Sequence, residues 1–355
     1  MREYLIFLPV CIFVNGYERS AILDWQRGIL DFIPNEMYEI FRKYDKCKLN
    51  DILQNYNAEE QEIVLEYVDF LIKNEYAIIG SEKDIQYFVD LPLDFNYAGY
   101  ITNCICEYSD FTRDNIQLIL SQVDGILNCS ALQIICNREV SIQELSKFLQ
   151  NFVDITFLNH LEFILPYSSE YKNINDLLWK NTIINRLIFY SSPFEKVINM
   201  EHSFVIYTCE DLKEKCGVVD KFYFTQNIFH ITEALHHNTC LNRKIYIDKE
   251  GNIKNCPFFH KIYGNIMKDD VKEIISTPSF QKFWNIKKDE IKVCKDCEFR
   301  YICTDCRVFI KDKNDIYSQP EKCSYNPYIA KWEGEEGYYS VEEFLKNSNE
   351  NVSAI

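Results

Sequence analysis

Four cysteines crowd the stretch KVCKDCEFRYICTDCRVFIKDK: Cys294, Cys297, Cys303 and Cys306. Two thiols at C-x2-C spacing can turn their sulfurs onto one metal centre. The paired C-x2-C motifs of structural zinc sites usually stand roughly 15–20 residues apart, whereas only five residues separate Cys297 from Cys303. Runs this compact feed iron–sulfur clusters. The spacing therefore favours an iron–sulfur centre, and a compact zinc site stays open. Upstream, CLNRKIYIDKEGNIKNC sets Cys240 and Cys256 at the two ends of an expected hairpin. Lys244 to Asp248 and Asn252 to Lys254 flank its turn, which contains Gly251, and the hairpin should draw the two cysteines together. Cys323 follows the array.

Composition bounds what such an array can serve. The chain has 355 residues, 15 of them cysteine, and a formal net charge of -16. A phosphate backbone needs a basic surface, so no nucleic-acid partner is expected. Only ten glycines occur and none stand as G-x-G, which removes the dinucleotide fingerprint and the P-loop. No apolar run reaches the roughly 20 residues of a membrane helix, so no membrane partner is expected. The run Leu5 to Val14 contains Pro9 and leads into Asn15-Gly16. It reads as a β-hairpin and not as a signal peptide. The chain is expected to be cytoplasmic, where disulfides are rare and clustered cysteines mean metal or redox chemistry. No Ser/His/Asp set, paired acids or HExxH stands out, so no catalytic residue is named.

The elements that must position the array read as α/β. Residues 1–85 predict a hairpin, three helices and a closing strand, a winged-helix-like module. Asn57 and Glu60 form an N-terminal capping box on the third helix. Residues 90–232 alternate apolar strands with amphipathic helices. The expected strands are Tyr97 to Cys106, Ala131 to Cys136, His160 to Pro166, Asn185 to Tyr190, Phe204 to Thr208 and Phe222 to Thr225. Such alternation predicts βα units around a parallel sheet, as an open sheet or a partial barrel. Residues 233–330 hold the cysteine array, and 331–355 form an acidic tail with a surface helix.

Taken in order, Cys240, Gly251, Cys256, a helical gap, C-x2-C-x5-C, Cys306 and Cys323 resemble the SPASM domain found at the C-terminus of many radical-SAM peptide-modifying enzymes. The resemblance implies one or two auxiliary [4Fe–4S] clusters, two being usual in the family, with zinc as the alternative cofactor. Cys240, Cys256 and Cys306 would serve one cluster, and Cys294, Cys297, Cys303 and Cys323 the other. Two departures matter. Two residues separate Cys303 from Cys306, where the family commonly has three. The family's first cluster often has a further upstream cysteine, for which ALHHNTC offers only His236 and His237; His236 is the candidate ligand. The radical-SAM motif C-x3-C-x2-C is missing, so no S-adenosylmethionine cluster is expected. In its place stand Cys104 and Cys106, which are expected to point to opposite faces of their strand as small buried residues.

This layout resembles the SPASM-domain peptide maturase of grasp-with-SPASM ribosomal-peptide systems. It implies an iron–sulfur protein acting with an ATP-grasp ligase on a ribosomally made precursor peptide, by binding precursor or ligase, over a degenerate radical-SAM-like βα domain. An active redox peptide-modifying enzyme and a zinc-stapled interaction protein are the alternatives.

Overall fold

The computed structural model describes residues 3–211 and 216–352. Pro9 divides the apolar N-terminal run into β1 (Tyr4–Phe7) and β2 (Cys11–Val14), which enter different sheets. β2, β3 (Ser20–Asp24) and β4 (Ile29–Ile33) form an antiparallel sheet. β1 lies between β5 (Cys47–Lys48) and β6 (Ala77–Gly80). Between these strands lie α1 (Asn35–Phe41), α2 (Leu49–Leu53) and α3 (Ala58–Lys73). The capping box of α3 is present: Asn57 Oδ1 accepts from the Glu59 and Glu60 amides at 3.0 Å, and Glu60 Oε2 accepts from the Asn57 amide at 2.9 Å. A cap of this kind stabilises by about 1 kcal/mol. Val64, Val68 and Leu71 on its inner face pack with Leu5, Met37, Phe41 and Ile52.

The middle of the chain builds a nine-stranded sheet. Six strands run parallel in the order β12 (Phe204–Tyr207), β10 (Ile184–Tyr190), β9 (His160–Pro166), β8 (Ala131–Cys136), β7 (Asn103–Tyr108) and β13 (Lys244–Ile247). β11 (Lys196–Asn199) adds antiparallel to one edge, and β14 (Asn252–Lys254) and β15 (Gly264–Asn265) to the other. The sheet is therefore open. α4 (Asp110–Asp114), α5 (Ile116–Leu120), α6 (Ile142–Leu149) and α7 (Ile174–Lys180) connect the parallel strands and share one core with them.

Three sequence expectations change. The strand expected from Tyr97 begins only at Asn103, because the Tyr100 and Ile101 amides turn to the Leu127 carbonyl. Phe222 to Thr225 is no strand: Asp220 accepts from the Phe222 amide at 2.8 Å and opens a 3-10 turn over Lys221–Tyr223. Cys104 and Cys106 do not diverge. Residues two apart on a strand share a face, and both thiols enter the helix-covered core beside Cys129 and Cys136.

The sheet also runs through the boundary drawn at residue 232. β13, the first strand of the cysteine hairpin, pairs Ile245 with Cys104 and Ile247 with Cys106 of β7, so the array is built on the edge of the βα sheet. Before it lies α8 (Ile228–His236), and after it α9 (Val271–Ser276). The tail forms a hairpin, β16 (Tyr325–Asn326) with β17 (Lys331–Trp332), and α10 (Val341–Val352). Among the described residues no helix is long and apolar enough to cross a membrane.

Candidate metal centres

The β13–β14 hairpin turns at Gly251, whose φ of +81° suits glycine. A Cβ there would stand 2.5 Å from Phe111, so the hairpin packs closely on α4. Asp248 Oδ1 fixes the turn by accepting from the Glu250 and Asn252 amides at 3.1 and 2.8 Å. Cys240 and Cys256 are thereby held close enough that burial, and then the charge of Cys240, push the Cys256 thiol up to about 12.

Two further thiols join this pair. Cys306 feels the charge of Cys240 after its own burial. Cys216 is pushed up to about 11 by burial, then by Cys240 and Cys306. Gly217, with φ +78°, lets the chain pass so closely that a Cβ on it would lie 3.2 Å from Cys306 Sγ. The sequence reading did not name Cys216, which stands as an added candidate. The signal available was a cysteine followed by one of only ten glycines, in KCGVVD. The first set is thus Cys216, Cys240, Cys256 and Cys306.

The second set lies in the C-x2-C loop. Val293 takes a left-handed conformation (φ +68°), costly for a β-branched residue, immediately before Cys294. After burial, the Cys294 thiol is raised by Asp305 and Cys303, and that of Cys323 by Cys294. Cys297 responds to Cys294 and Cys303, and Cys303 to Cys323. The short Cys303–Cys306 spacing suffices to serve both sets. Between them Asp305, buried and paired with Arg307 at 2.5 Å, accepts from Asn238 Nδ2 at 2.6 Å.

The sets are tied to each other and to the N-terminal module. Val219 bridges Cys323, and Lys322 Nζ donates to the Cys216 carbonyl at 2.9 Å. Arg300 donates to the Asn15 carbonyl, to Asn15 Oδ1 at 2.8 Å and to Asp289 at 3.1 Å. Arg19 meets the buried Glu298 at 2.7 Å. Val14 and Leu23 of the first sheet share a core with Phe299, Ile302 and Cys303.

His236 is not brought to the thiols. It ends α8 at the surface, with Nε2 3.0 Å from the Leu93 carbonyl. His237 lies half-buried against Phe95.

Each set thus offers four largely buried thiols, soft donors suited to iron–sulfur clusters or zinc. Metal binding to thiols requires the thiolate form, so loading releases protons. Among the described residues no three His, Cys, Asp or Glu side chains converge on one point as a single ion requires.

Residues 239–298 match the family model SPASM, described as an iron–sulfur cluster-binding domain. The chain therefore carries a SPASM domain, which covers the hairpin, the gap and the first C-x2-C pair. No curated protein sequence matches the chain. Among solved structures, Streptococcus suis SuiB bound to S-adenosylmethionine is 10% identical with a TM-score of 0.34, over 89% of this chain and 98% of that one. SuiB bound to precursor peptide SuiA is 10% identical with a TM-score of 0.35, over the same shares. Superpositions this loose carry no argument.

Proposed function

We propose that this chain is an iron–sulfur protein of ribosomal-peptide maturation, working with an ATP-grasp ligase on a precursor peptide. The supporting observation is the match of residues 239–298 to the SPASM iron–sulfur domain, with eight thiols lying in and around it. In this reading Cys216, Cys240, Cys256 and Cys306 hold one [4Fe–4S] cluster. Cys294, Cys297, Cys303 and Cys323 hold the other. Cys216 takes the role that the sequence left to His236. Residues 1–85 receive the precursor: the outer edge of β4 has no strand beside it among the described residues, and an extended peptide can add there. When bound, the clusters supply one-electron chemistry or an anchored, rigid binding surface.

The test is anaerobic reconstitution followed by metal and sulfide analysis. Two clusters require about eight iron and about eight sulfide per chain. Fluorescence anisotropy of a labelled precursor with the loaded protein, with and without the ligase, checks the partners. Stoichiometric zinc with no labile sulfide overturns the cluster reading in favour of a zinc-stapled protein. Loaded protein that binds neither precursor nor ligase overturns the maturation role.

A further inference from the structure

In each thiol set a lysine donates to one of the sulfurs. Lys288 is only 5% exposed, and its Nζ donates to Cys303 Sγ at 3.2 Å. Lys244, on β13, donates to Cys240 Sγ at 3.7 Å. Burying an ammonium costs several kcal/mol unless a partner of opposite charge is at hand. The buried carboxylate that influences Lys288, Asp305, is already paired with Arg307 and bonded to Asn238. The nearby His230 is held neutral by burial and by Lys288 itself, and its Nε2 has no partner. That leaves the thiols. Lys288 Nζ reaches Cys303 Sγ and Lys244 Nζ reaches Cys240 Sγ, while Glu233, a carboxylate in the neighbourhood of Lys244, is taken by Asn242 at 3.0 Å.

A neutral thiol is a weak hydrogen-bond acceptor; a metal-bound thiolate is a strong, charged one. Two long side chains left charged in thiol-lined interiors are explained when the sulfurs carry negative charge. A four-thiolate cluster is anionic and gains a further negative charge when an external donor such as dithionite delivers one electron. Hydrogen bonds to sulfur and local net charge set the potential at which it does so.

We propose that Lys288 and Lys244 are the charge-compensating residues of the two cluster sites. Each donates to one ligand sulfur and each raises the reduction potential of its own cluster. The shorter contact makes Lys288 the stronger of the two. This rests on both thiol sets being cluster sites. A wild-type chain that takes up no iron and sulfide fails that reading, whereas the comparison below fails this inference alone.

The experiment is potentiometric titration of the reduced-cluster EPR signal in reconstituted wild type, K288M, K288R, K244M and K244R, with iron and sulfide measured on each sample. Wild type should show two midpoints. K288M should lower one, and K244M the other. At a fixed poise at its wild-type midpoint, the site facing Met in place of Lys288 should show at least a tenfold drop in the reduced-to-oxidised ratio, which is 59 mV for one electron. The Arg variants should stay near wild type. A Met variant that loses iron where its Arg counterpart keeps it also supports the proposal, since charge is what the Arg form retains. Met variants with full iron and unchanged midpoints overturn it. So does loss of iron, or an equal fall in potential, in Met and Arg variants alike, which makes the site depend on the shape of lysine.

Discussion

Replacing Cys216 tests the composition of the first metal centre. Eight thiols stand in two sets of four, and each [4Fe–4S] cluster takes four iron atoms. Cys216→Ala leaves the first set with Cys240, Cys256 and Cys306 and leaves the second intact. Iron should fall from about eight per chain towards about four, with the cluster absorbance near 400 nm falling in proportion. Cys216→Ser, which keeps an oxygen donor, should lie between. The structure supplies the controls. Cys209 is exposed and apart from both sets, so Cys209→Ala should keep full iron. Cys104→Ala removes a core thiol that touches neither set and should also keep it. His236→Ala should be silent, because that ring faces the Leu93 carbonyl. The assay is parallel anaerobic reconstitution with ferrozine iron and methylene-blue sulfide analysis. Full iron in Cys216→Ala, alongside a loss in Cys240→Ala, would refute the assignment. A loss in His236→Ala with none in Cys216→Ala would restore the ligand that the sequence suggested.

Other expectations follow from single residues. Burial raises the Glu233 carboxyl from 4.5 to about 7, the Asn242 contact only partly offsetting it. A raised carboxyl pKa means the folded chain binds the proton more tightly than the unfolded one, so this stabilisation is full below about pH 4.5 and lost by about pH 7, and is worth roughly 3 kcal/mol in all. Glu233→Gln should remove that slope, seen as a smaller drop in Tm between pH 5 and pH 8 than in wild type. Gly251→Ala puts a Cβ against Phe111 at 2.5 Å on a left-handed backbone, and should destabilise by about 2–4 kcal/mol, read as lowered Tm and lost iron. Arg300→Met leaves Asn15 without its donor, while Asp289 keeps Tyr301 at 2.8 Å. A loss of about 1–3 kcal/mol should appear as faster proteolytic cutting near residues 15–19, with the βα core protected.

Local signals were the ones that could be read in advance. The Asn57–Glu60 box and the Gly251 hairpin are set by residues within a few positions of each other, and both are present. The strands from Ala131 and His160 have the expected limits, since each is a short apolar run bounded by loops. The cysteine spacing pointed to the SPASM match over 239–298. What escaped depended on tertiary context. Phe222 to Thr225 has strand composition, but the Asp220 cap and the Thr225 amide bond to the Ile302 carbonyl hold it otherwise. Cys104 and Cys106 were misplaced by misreading the two-residue period. Cys216 lies outside the array in sequence and reaches it only because Gly217 allows the chain to pass over Cys306. His236 was singled out for its nearness along the chain, and α8 carries it away from the thiols.

The clasp between Asn15 and Arg300 joins residues 285 positions apart along the chain. Val14 and Leu23 are covered by a core drawn from the second half of the chain, including Ile231, Phe299, Ile302 and Trp332. During synthesis, at roughly 5–20 residues per second, the sheet of β2, β3 and β4 must therefore wait for most of the polypeptide to emerge before its second face closes. A chain cut short before the C-x2-C loop would expose that face to proteases and chaperones. The sheet of β2, β3 and β4 thus completes its second face only after the C-x2-C loop has been made.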